Sequence, residues 1–362
     1  MFRSIQSWTG AVYVALLCGT VAVGATETLV QPMIDRPGAC AYCDVVSEAF
    51  AEATESIDLL LANAELEGNP LWAPLISAHS RGIRVRVLLD ESNWATSITA
   101  KNKPTLDYLL AHGVEAAFDD PEVTTHAKMV VVDRTTVILG STNWNHYAFT
   151  DQEQASVRIV DGRVAGAFAD WFDGLWTHRG ETPEQRTVTV DLPLMGGPCI
   201  VPLPDESGSS TYVSAVIPLL DGAGISIHVA LYRMSVYTGF PDSTANELLD
   251  ALVRAARRGI DVRVLLDDCS FYADSAEANL SSALFLFEHG VPVRFDQPEE
   301  TTHAKLLVID GEDVVLGSTN WNYYALERNV EASVALLGMS EVADIFDDYF
   351  EALWRSGRPI GP

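Results

Sequence analysis

Positive charge is scarce in this chain. Its 362 residues carry 23 Lys and Arg against 50 Asp and Glu, a formal net charge of -27. Lysine is rarer still, at positions 101, 103, 128 and 305 only. Nucleic-acid binding draws most of its affinity from Lys and Arg that neutralise phosphates. The composition therefore disfavours a general nucleic-acid binder and makes the few lysines candidates for specific roles.

The apolar run near the N-terminus, residues 10–25, has sixteen residues, fewer than the about 20 that a membrane span needs. It follows a single charge, Arg3, and ends in the small residues Val23-Gly24-Ala25. This pattern predicts an export signal over residues 1–25, with an uncleaved N-terminal anchor as the alternative. We therefore expect an exported protein: secreted, periplasmic or held in the envelope.

Cysteine is also sparse. Beyond the predicted signal, four remain: Cys40, Cys43, Cys199 and Cys269. An even number is consistent with disulfides in an oxidising compartment, although the pairing cannot be derived from the sequence and buried thiols are the alternative. One Cys-x-x-Cys pair without a second pair is weak as a zinc site.

Apolar periodicity predicts alternating helices and strands, and hence an α/β fold. In the first half the pattern predicts helices over 44–56, 71–80, 104–112 and 163–176, and strands over 57–64, 83–90, 114–118, 128–133, 136–139 and 155–160. The α/β assignment rests on this alternation.

The second half repeats the first. Residues 81–90 return as 258–267 at a constant spacing of 177, and further upstream the second copy carries about nine extra residues around 237–243. Residues 177–210 are rich in Pro and Gly, which is typical of a linker. We therefore predict two homologous domains, 26–190 and 191–362, related by a pseudo-two-fold axis that brings equivalent sites together.

The most informative repeat is polar. Each copy has the same residues at the same gaps, namely Thr125-His126-Ala127-Lys128, Asp133 and Gly140-Ser141-Thr142-Asn143-Trp144, returning as Thr302-His303-Ala304-Lys305, Asp310 and Gly317-Ser318-Thr319-Asn320-Trp321. A structural repeat explains similar apolar patterns but does not require identical polar residues. The motifs, at about 120–147 and 297–324, are therefore the candidate functional site.

The chemistry of this set suits a phosphoryl group. Side chains two apart on a strand point the same way, so the His and Lys of each copy can converge on one ligand. Ammonium, imidazole, amide and hydroxyl groups supply donors and positive charge. Two histidines allow one to attack phosphorus while the other protonates the leaving oxygen.

The doubled pattern His-x-Lys, four residues, Asp, six residues, Gly-Ser-x-Asn resembles the phospholipase D superfamily. The resemblance covers nearly the whole exported chain. It implies two tandem α/β/α domains, each a mixed sheet flanked by helices, with one active site between them. It further implies a covalent phosphohistidine intermediate and a reaction that requires no metal or other cofactor.

Transferred by position, the resemblance gives each motif residue a role. His126 and His303 become nucleophile and general acid/base, with His126 favoured as the nucleophile. Phosphate oxygens would be held by Lys128, Lys305, Asn143 and Asn320 and supported by Ser141 and Ser318, whereas Asp133, Asp310, Gly140 and Gly317 are structural motif residues.

The two halves differ at one position. Glu331 lies where the family keeps an acidic residue that hydrogen-bonds a catalytic histidine, whereas the first half has Gln154 there. A carboxylate stabilises imidazolium and an amide does not. We therefore predict that Glu331 orients one catalytic histidine and that the two histidines are electrostatically unequal, with Asp151 or Glu153 as alternative acidic partners in the first half.

Two further pairs repeat. Trp144 and Trp321 follow the Asn turns, and we expect them to pack beneath the site, with lipid contact as the alternative. Asp90 and Asp267 end matching strands, where α/β sheets place ligand sites, and no role is assigned to them.

The sequence thus predicts a phospholipase D-like phosphoric diester hydrolase that converts phospholipid to phosphatidate and a free head group. A nuclease is one alternative, but it needs arginines to converge on a groove; cardiolipin-synthase-type phosphatidyl transfer is another. A phosphate- or lipid-binding envelope protein is the non-enzymatic alternative. We expect peripheral membrane contact and a monomer, because one chain holds both half-sites.

Overall fold

A computed structural model describes residues 28–93, 96–179 and 197–360. The predicted export signal, residues 1–25, lies outside these ranges. Within them, no helix has the length and apolar character that a membrane-crossing segment would need. We refer to residues 28–179 as the first half and to residues 197–360 as the second half.

The first half alternates strands and helices as predicted. Its elements are β1 (Leu29–Asp35), α1 (Ala41–Glu52), β2 (Ser56–Leu61), α2 (Trp72–Ser80), β3 (Arg84–Leu89), α3 (Thr96–Ala111), β4 (Glu115–Phe118), β5 (Lys128–Val132), β6 (Thr136–Gly140), α4 (His146–Thr150), β7 (Gln152–Val160) and α5 (Gly162–Thr177).

The second half repeats this order. Its elements are β8 (Cys199–Asp205), α6 (Thr211–Gly222), β9 (Ser226–Leu231), α7 (Thr244–Arg257), β10 (Asp261–Leu266), α8 (Ala273–Glu288), β11 (Val293–Phe295), β12 (Thr301–Thr302), β13 (Lys305–Ile309), β14 (Asp313–Gly317), α9 (Tyr323–Glu327), β15 (Glu331–Leu337), α10 (Ser340–Ser356) and β16 (Arg358–Pro359).

Each half forms one mixed sheet. The first has the order β1-β7-β6-β5-β2-β3-β4, and the second β16-β11-β10-β9-β13-β14-β15-β8. Strands β2, β3 and β4 run parallel, while β5, β6, β7 and β1 add antiparallel pairs. Strand β2 is buried along its whole length, which explains its continuous apolar run, because a central strand covered on both faces does not alternate with polar residues.

Three apolar cores hold the layers together. One lies between the outer face of the first sheet and helices α1, α2 and α3, and its counterpart packs α6, α7 and α8 on the second sheet. The third contains residues from both sheets together with α5 and α10, including Phe168, Phe172, Phe346 and Phe350. The predicted α/β/α halves are therefore confirmed, and the shared central core fixes one half against the other.

The insertion in the second half is smaller than predicted. Ser56 pairs with Arg84 in the first sheet, and Ser226 pairs with Asp261 at the equivalent place in the second. The spacing between halves is therefore 170 before the insertion and 177 after it, which gives seven extra residues rather than nine. They lengthen the loop after β9 and make α7, with 14 residues, longer than α2, with 9.

The predicted linker over residues 177–210 is wrong for its last part. Residues 199–205 form β8, an edge strand that pairs with β15 and contains Pro202 and Pro204. Proline has no N–H to donate, so it is tolerated where one side of a strand has no neighbour. The corresponding edge strand of the first sheet, β1, likewise contains Pro32.

One disulfide is present among the described residues. It joins Cys40 to Cys43 at the start of α1, with the two Cα atoms 5.3 Å apart. Cys199 and Cys269 are buried thiols, so both alternatives left open by the sequence occur in the same chain.

Candidate active site

The motif segments cross from one half to the other. Val330 of the second half accepts hydrogen bonds from the backbone N–H groups of His126 and Ala127, at 2.8 and 3.0 Å. The second half makes the equivalent contact with the first. Strand β12 pairs with β7, and the N–H of His303 donates to the carbonyl oxygen of Glu153 at 2.9 Å. Each histidine is thus fixed to the end of a strand in the opposite half.

His126 is paired with a carboxylate. Its Nδ1 atom lies 3.0 and 2.9 Å from the two carboxylate oxygens of Glu331. Since an ionised carboxylate only accepts hydrogen bonds, Nδ1 carries the proton and Nε2 keeps its lone pair. The His126 side chain is 23% exposed, whereas that of Glu331 is fully buried. The predicted acidic residue therefore lies against His126, 205 positions away in the chain.

Glu331 is itself held in place. Ser318 Oγ donates to one carboxylate oxygen, and Asn329 Nδ2 donates to the other at 3.0 Å. The backbone N–H of Ala332 donates to Ser318 Oγ at 3.0 Å. These contacts fix the carboxylate in the orientation that meets the imidazole.

His303 has neutral partners instead. Its Nδ1 atom lies 3.0 Å from the carbonyl oxygen of Ser141 and 3.1 Å from Oε1 of Gln154. Ser141 Oγ donates to the same Oε1 atom at 2.6 Å, and Gln154 Nε2 donates to Gln152 at 2.8 Å. Both partners of Nδ1 are acceptors, so His303 also exposes a lone pair on Nε2. Among the described residues, no carboxylate is hydrogen-bonded to its ring.

The surroundings lower the pKa of both histidines. Burial lowers the pKa of His126, and the negative charge of Glu331 opposes that effect. Burial lowers the pKa of His303 much further, because the charges of Lys305, Lys128 and His126 add to it. The two imidazoles are therefore electrostatically unequal, as the difference between Glu331 and Gln154 predicted.

The motif lysines are almost completely buried, at 1% exposure for Lys128 and 2% for Lys305. Each ammonium group donates to the carbonyl oxygen of the histidine two residues before it. Burial lowers the pKa of Lys128 to about 7, although Glu331 and Asp90 oppose the shift. Burial and the charge of Lys128 lower the pKa of Lys305 well below its usual value. A bound anion would restore the charge of both.

The motif asparagines leave hydrogen-bonding capacity unused. The Oδ1 atoms of Asn143 and Asn320 are buried and have no protein partner. Buried polar atoms are nearly always satisfied, so such atoms in a site indicate a missing ligand or solvent. An amide can rotate about its last bond and present N–H donors, which suits the oxygens of a phosphoryl group.

The motif serines contact the partners of the histidines and do not line the cavity. Ser141 and Ser318 are fully buried, and their hydroxyl groups bind Gln154 and Glu331 respectively. Their support of a phosphate is therefore indirect: they position the groups that in turn position the histidines.

The remaining motif residues lie where the backbone needs them. A Cβ atom on Gly140 would come within 2.2 Å of Ser156 Oγ and 2.5 Å of Ala155 O, and Gly317 has an equivalent clash. Asp133 accepts hydrogen bonds from backbone N–H groups of residues 54, 55 and 56, and Asp310 does the same for residues 224, 225 and 226. These four residues shape the turns around β2, β6, β9 and β14.

The lipid-contact alternative for the motif tryptophans is wrong. Trp144 and Trp321 are both fully buried. Their indole N–H groups donate to the hydroxyls of Tyr42 and Tyr212 at 2.9 and 3.0 Å. They form the packed floor under the Asn turns, as the sequence predicted.

Both histidines open into one cavity of about 740 Å³ between the halves. Its wall is asymmetric. The ring centroid of Tyr232 lies 4.8 Å from the ring centroid of His303 and 5.0 Å from Lys305 Nζ. The equivalent position beside His126 is Ala62, which also lines the cavity. A single cavity thus contains two chemically different ends.

Sequence comparison agrees with this architecture. The family profile described as cardiolipin synthase, PLD-like domain, matches residues 46–176 and 216–354. The chain belongs to the phospholipase D superfamily. Each match covers most of one half and includes one copy of the motif.

Individual relatives of this superfamily are distant. Cardiolipin synthase A from Escherichia fergusonii is 24% identical over 314 residues, which cover 79% of this chain and 63% of that protein. Mitochondrial cardiolipin hydrolase from Mus musculus is 28% identical over 164 residues, covering 45% of this chain and 65% of its own length. The chain therefore spans less than two thirds of the length of either protein.

The fold is shared with a solved structure across both halves. Phosphatidylserine synthase from Haemophilus influenzae Rd KW20 superposes with a TM-score of 0.70 and covers 90% of this chain and 87% of its own, at 13% identity. This likeness shows that the two proteins share their fold across both halves.

Two aspartates that the sequence singled out without a role belong to this site. Asp90 and Asp267 line the cavity, and each accepts a hydrogen bond at 2.7 Å from the backbone N–H just before a motif histidine, that of Thr125 or Thr302. Both aspartates therefore position the segment that carries the histidine. The hydrogen bond between each aspartate and the segment before the histidine forms only in the folded chain, so sequence spacing alone could not reveal it.

Each of these aspartates has a carboxyl neighbour. Burial and the charge of Asp119 raise the pKa of Asp90 to about 8, and burial raises that of Asp119 to about 7. In the second half, burial and the charge of Asp267 raise the pKa of Asp296 to about 8. Asp119 and Asp296 are also 177 positions apart. This repeat was the sequence signal that could have identified the two carboxyl neighbours.

Proposed function

We propose that this protein hydrolyses the head-group phosphodiester bond of a phospholipid through a phosphohistidine on His126. The observation that carries the proposal is the pair of histidines in one cavity with unequal partners: a carboxylate on His126 and neutral acceptors on His303. A double displacement needs one nucleophile and one proton donor, and unequal environments suit unequal roles.

In the first step, the lone pair on His126 Nε2 attacks phosphorus. The new N–P bond places positive charge on the imidazole, whose Nδ1–H donates to Glu331. The fully buried carboxylate balances that charge, as a carboxylate does for a catalytic histidine elsewhere. The bond from phosphorus to the head-group oxygen breaks and the electron pair goes to that oxygen.

The leaving oxygen receives its proton from His303 Nε2. Burial and the positive neighbours of His303 lower its pKa, so the imidazolium is a strong acid. The phosphate anion of a bound substrate opposes those charges and favours protonation before the bond breaks. His303 is neutral after the first step and is then ready to act as a base.

In the second step, water attacks the phosphorus of the phosphohistidine. His303 Nε2 takes a proton from the water, the N–P bond breaks, and its electron pair returns to His126. The products are the free head-group alcohol and phosphatidate. Lys128, Lys305 and the amides of Asn143 and Asn320 would hold the phosphoryl oxygens, where negative charge builds up in both transition states.

Three observations favour a phospholipid over nucleic acid. Two relatives, which match 79% and 45% of this chain, are named as a cardiolipin synthase and a cardiolipin hydrolase. The cavity wall includes Asp151 and Glu299 together with the exposed rings of Phe271 and Tyr272. Such a wall would repel a polyanion and would accept an apolar or amphipathic substrate.

The arginines that a nuclease would need lie elsewhere. Seven arginines stood in the sequence as candidates for such a groove, and none of them lines the cavity: Arg81, Arg84, Arg86, Arg254, Arg257, Arg258 and Arg263. Several have carboxylate partners away from the cavity. Arg86 binds Asp58 and Asp173, Arg254 binds Asp221, and Arg263 binds Asp261 and Glu351. A basic groove leading to the histidines is therefore not supported by the described residues.

Phosphatidyl transfer is the second candidate. It uses the same phosphohistidine, with an alcohol in place of water as the second nucleophile, and the relative that matches 79% of this chain is named as a cardiolipin synthase. The geometry of the histidines serves both reactions equally, so the acceptor must be determined by experiment.

The test uses purified protein with chelator and no added metal, on vesicles of phosphatidylcholine, phosphatidylglycerol and cardiolipin, with single-stranded DNA in parallel. We expect phosphatidate and free head group from at least one lipid, and loss of both in His126→Ala and His303→Ala. Cardiolipin formed from phosphatidylglycerol would establish the transferase. DNA cleavage alone, or tight lipid binding without turnover, would contradict the proposal.

A further inference from the structure

The seven extra residues of the second half build a second cavity. It measures about 710 Å³ and lies between the loop after β9 and helix α9. Its wall contains four aromatic side chains and two carboxylates: Tyr237, Phe240, Tyr323, Tyr324, Asp242 and Glu327. The walls of this cavity and of the catalytic cavity have no residue in common.

The wall of this second cavity is rigidly built. Asn246 fastens the loop, because its Oδ1 accepts from the N–H of Tyr237 at 2.8 Å. Its Nδ2 donates to the carbonyls of Tyr237 and Phe240 at 2.9 and 3.0 Å. The equivalent residue of the first half, Asn69, instead ties a shorter loop to the carbonyl of Trp144. The insertion therefore moves the loop outward and holds it there.

The aromatic side chains face solvent to an unusual extent. Phe240 is 73% exposed and Tyr324 is 60% exposed. Tyr323 and Tyr324 meet edge to face, with ring centroids 5.4 Å apart, and Tyr237 Oη accepts a hydrogen bond from the N–H of Tyr323 at 3.0 Å. Exposed aromatic clusters on a folded surface are commonly binding sites.

The charges around these rings are all of one sign. Asp242 and Glu327 lie in the wall, and none of the described residues that form it is a lysine, arginine or histidine. Glu327 is oriented by Thr244, whose hydroxyl donates to Oε1 at 2.6 Å. The negative faces of aromatic rings together with carboxylates attract a cation, and a weakly hydrated one gains most because its desolvation costs least.

We propose that this cavity binds an organic ammonium group of the methylated kind, such as the trimethylammonium of choline. Aromatic rings would surround the methyl groups while Asp242 and Glu327 supply the counter-charge. The proposal does not depend on the catalytic function. The ammonium group has two sources, a free metabolite or the head group of a lipid on a membrane surface.

The first experiment compares a cation with its uncharged isostere. Binding of choline and of 3,3-dimethyl-1-butanol to the whole protein is measured by saturation-transfer NMR titration. We expect choline to bind about fivefold or more tightly than the isostere, in line with the size of cation–π contacts. Equal affinities would overturn the proposal, because the cavity would then be only apolar, and so would the absence of choline binding.

Variants locate the binding. Phe240→Ala and Glu327→Gln are each expected to weaken choline binding about fivefold or more. Phe287→Ala removes a ring that is 45% exposed on α8 and is expected to change nothing. Since Phe240 is mostly exposed, its replacement should preserve Tm, which checks folding. Undiminished choline binding by Phe240→Ala would place the ligand elsewhere and overturn the assignment.

A final arm distinguishes the two sources of the ammonium group. Phosphatidylcholine and phosphatidylglycerol vesicles are sedimented with the parent protein and with Phe240→Ala. Binding to phosphatidylcholine that depends on Phe240 would identify the lipid head group as the ligand. Phe240-dependent binding of free choline, with no such dependence on vesicles, would identify the soluble cation. Either result supports an ammonium site.

Discussion

The two halves of this protein carry the same motif but give its histidine a different partner. His126 meets the carboxylate of Glu331, and His303 meets the amide of Gln154 and a backbone carbonyl. The serine and backbone contacts around both partners are otherwise equivalent. A duplicated fold thus supplies two symmetric positions, and a carboxylate in one and an amide in the other make the two histidines electrostatically unequal.

The largest effect should come from removing either histidine. Both His126→Ala and His303→Ala are expected to reduce hydrolysis of a natural phospholipid by about 1,000-fold or more. On a phosphatidyl ester of p-nitrophenol the two should differ, since this leaving group departs without a proton. We expect His303→Ala to release a burst of p-nitrophenolate and His126→Ala to release none, measured by stopped-flow absorbance. A burst from His126→Ala alone would reverse the roles.

Exchanging the partners of the histidines is the next test. Glu331→Gln removes the charge that stabilises the His126 imidazolium, and we expect kcat to fall about 100-fold or more by analogy with other carboxylate–histidine pairs. Gln154→Glu should change kcat much less, because the proposed covalent bond forms on His126 and not on His303.

The control for this exchange is the double variant Glu331→Gln/Gln154→Glu, which places the carboxylate in the other half with the total charge unchanged. If the position of the carboxylate selects the nucleophile, the burst with the p-nitrophenyl ester should come to depend on His303 and should no longer require His126. Full activity of Glu331→Gln would remove this residue from the mechanism.

The pH dependence should reflect the buried cations. Burial lowers the pKa of Lys128 to about 7, so its ammonium form is lost as the pH rises through that value. The pKa of His303 is lowered well below its usual value, which acts in the same direction. We expect kcat/KM, which reports the free enzyme, to decrease as the pH rises toward and beyond about 7.

The alkaline limb of kcat should lie at higher pH, since bound phosphate raises the pKa of its cationic neighbours. In Glu331→Gln the limb of kcat/KM should move to lower pH, because the carboxylate raises the pKa of Lys128. A limb of kcat/KM unaffected by this substitution would show that neither Lys128 nor His126 controls it.

The smallest effects concern Asp90, which holds the segment before His126. Asp90→Asn keeps an acceptor for the Thr125 N–H and should leave Tm nearly unchanged. Asp90→Ala leaves that buried donor without a partner, at a cost of about 1 to 3 kcal/mol. Denaturant unfolding measures the difference between the two variants. Equal destabilisation by both would mean that the charge of Asp90, rather than its hydrogen bond, stabilises the segment.

Much of the fold could be predicted because apolar periodicity and the repeat agreed. Where the sequence-based prediction of an element was wrong, the cause is local. Helix α3 begins at Thr96 rather than near Pro104, since Asn102 anchors the helix through bonds to residues 62, 64 and 90. Strand β8 resembled a linker because edge strands tolerate proline. Elements of two to five residues, such as β12 and α4, are too short for periodicity to indicate.

The site could be predicted as a set of residues but not as an arrangement. The repeated His, Lys and Asn identified it, and the difference between Glu331 and Gln154 was visible in the alignment of the halves. Which histidine Glu331 contacts was not, because the partner lies in the opposite half and depends on how the sheets pack. The same limit hid Tyr232 beside His303, a contact made across separate strands.

The most direct test of the account locates the covalent intermediate. The enzyme is mixed with phospholipid carrying ³²P in the head-group phosphate, quenched in alkali within milliseconds, digested and analysed by mass spectrometry for phosphatidyl- or phosphohistidine. We predict label on the peptide that contains His126, at high occupancy in the parent protein and low occupancy in Glu331→Gln. Label on the peptide that contains His303, with His126 unmodified, would contradict the assignment of the two halves.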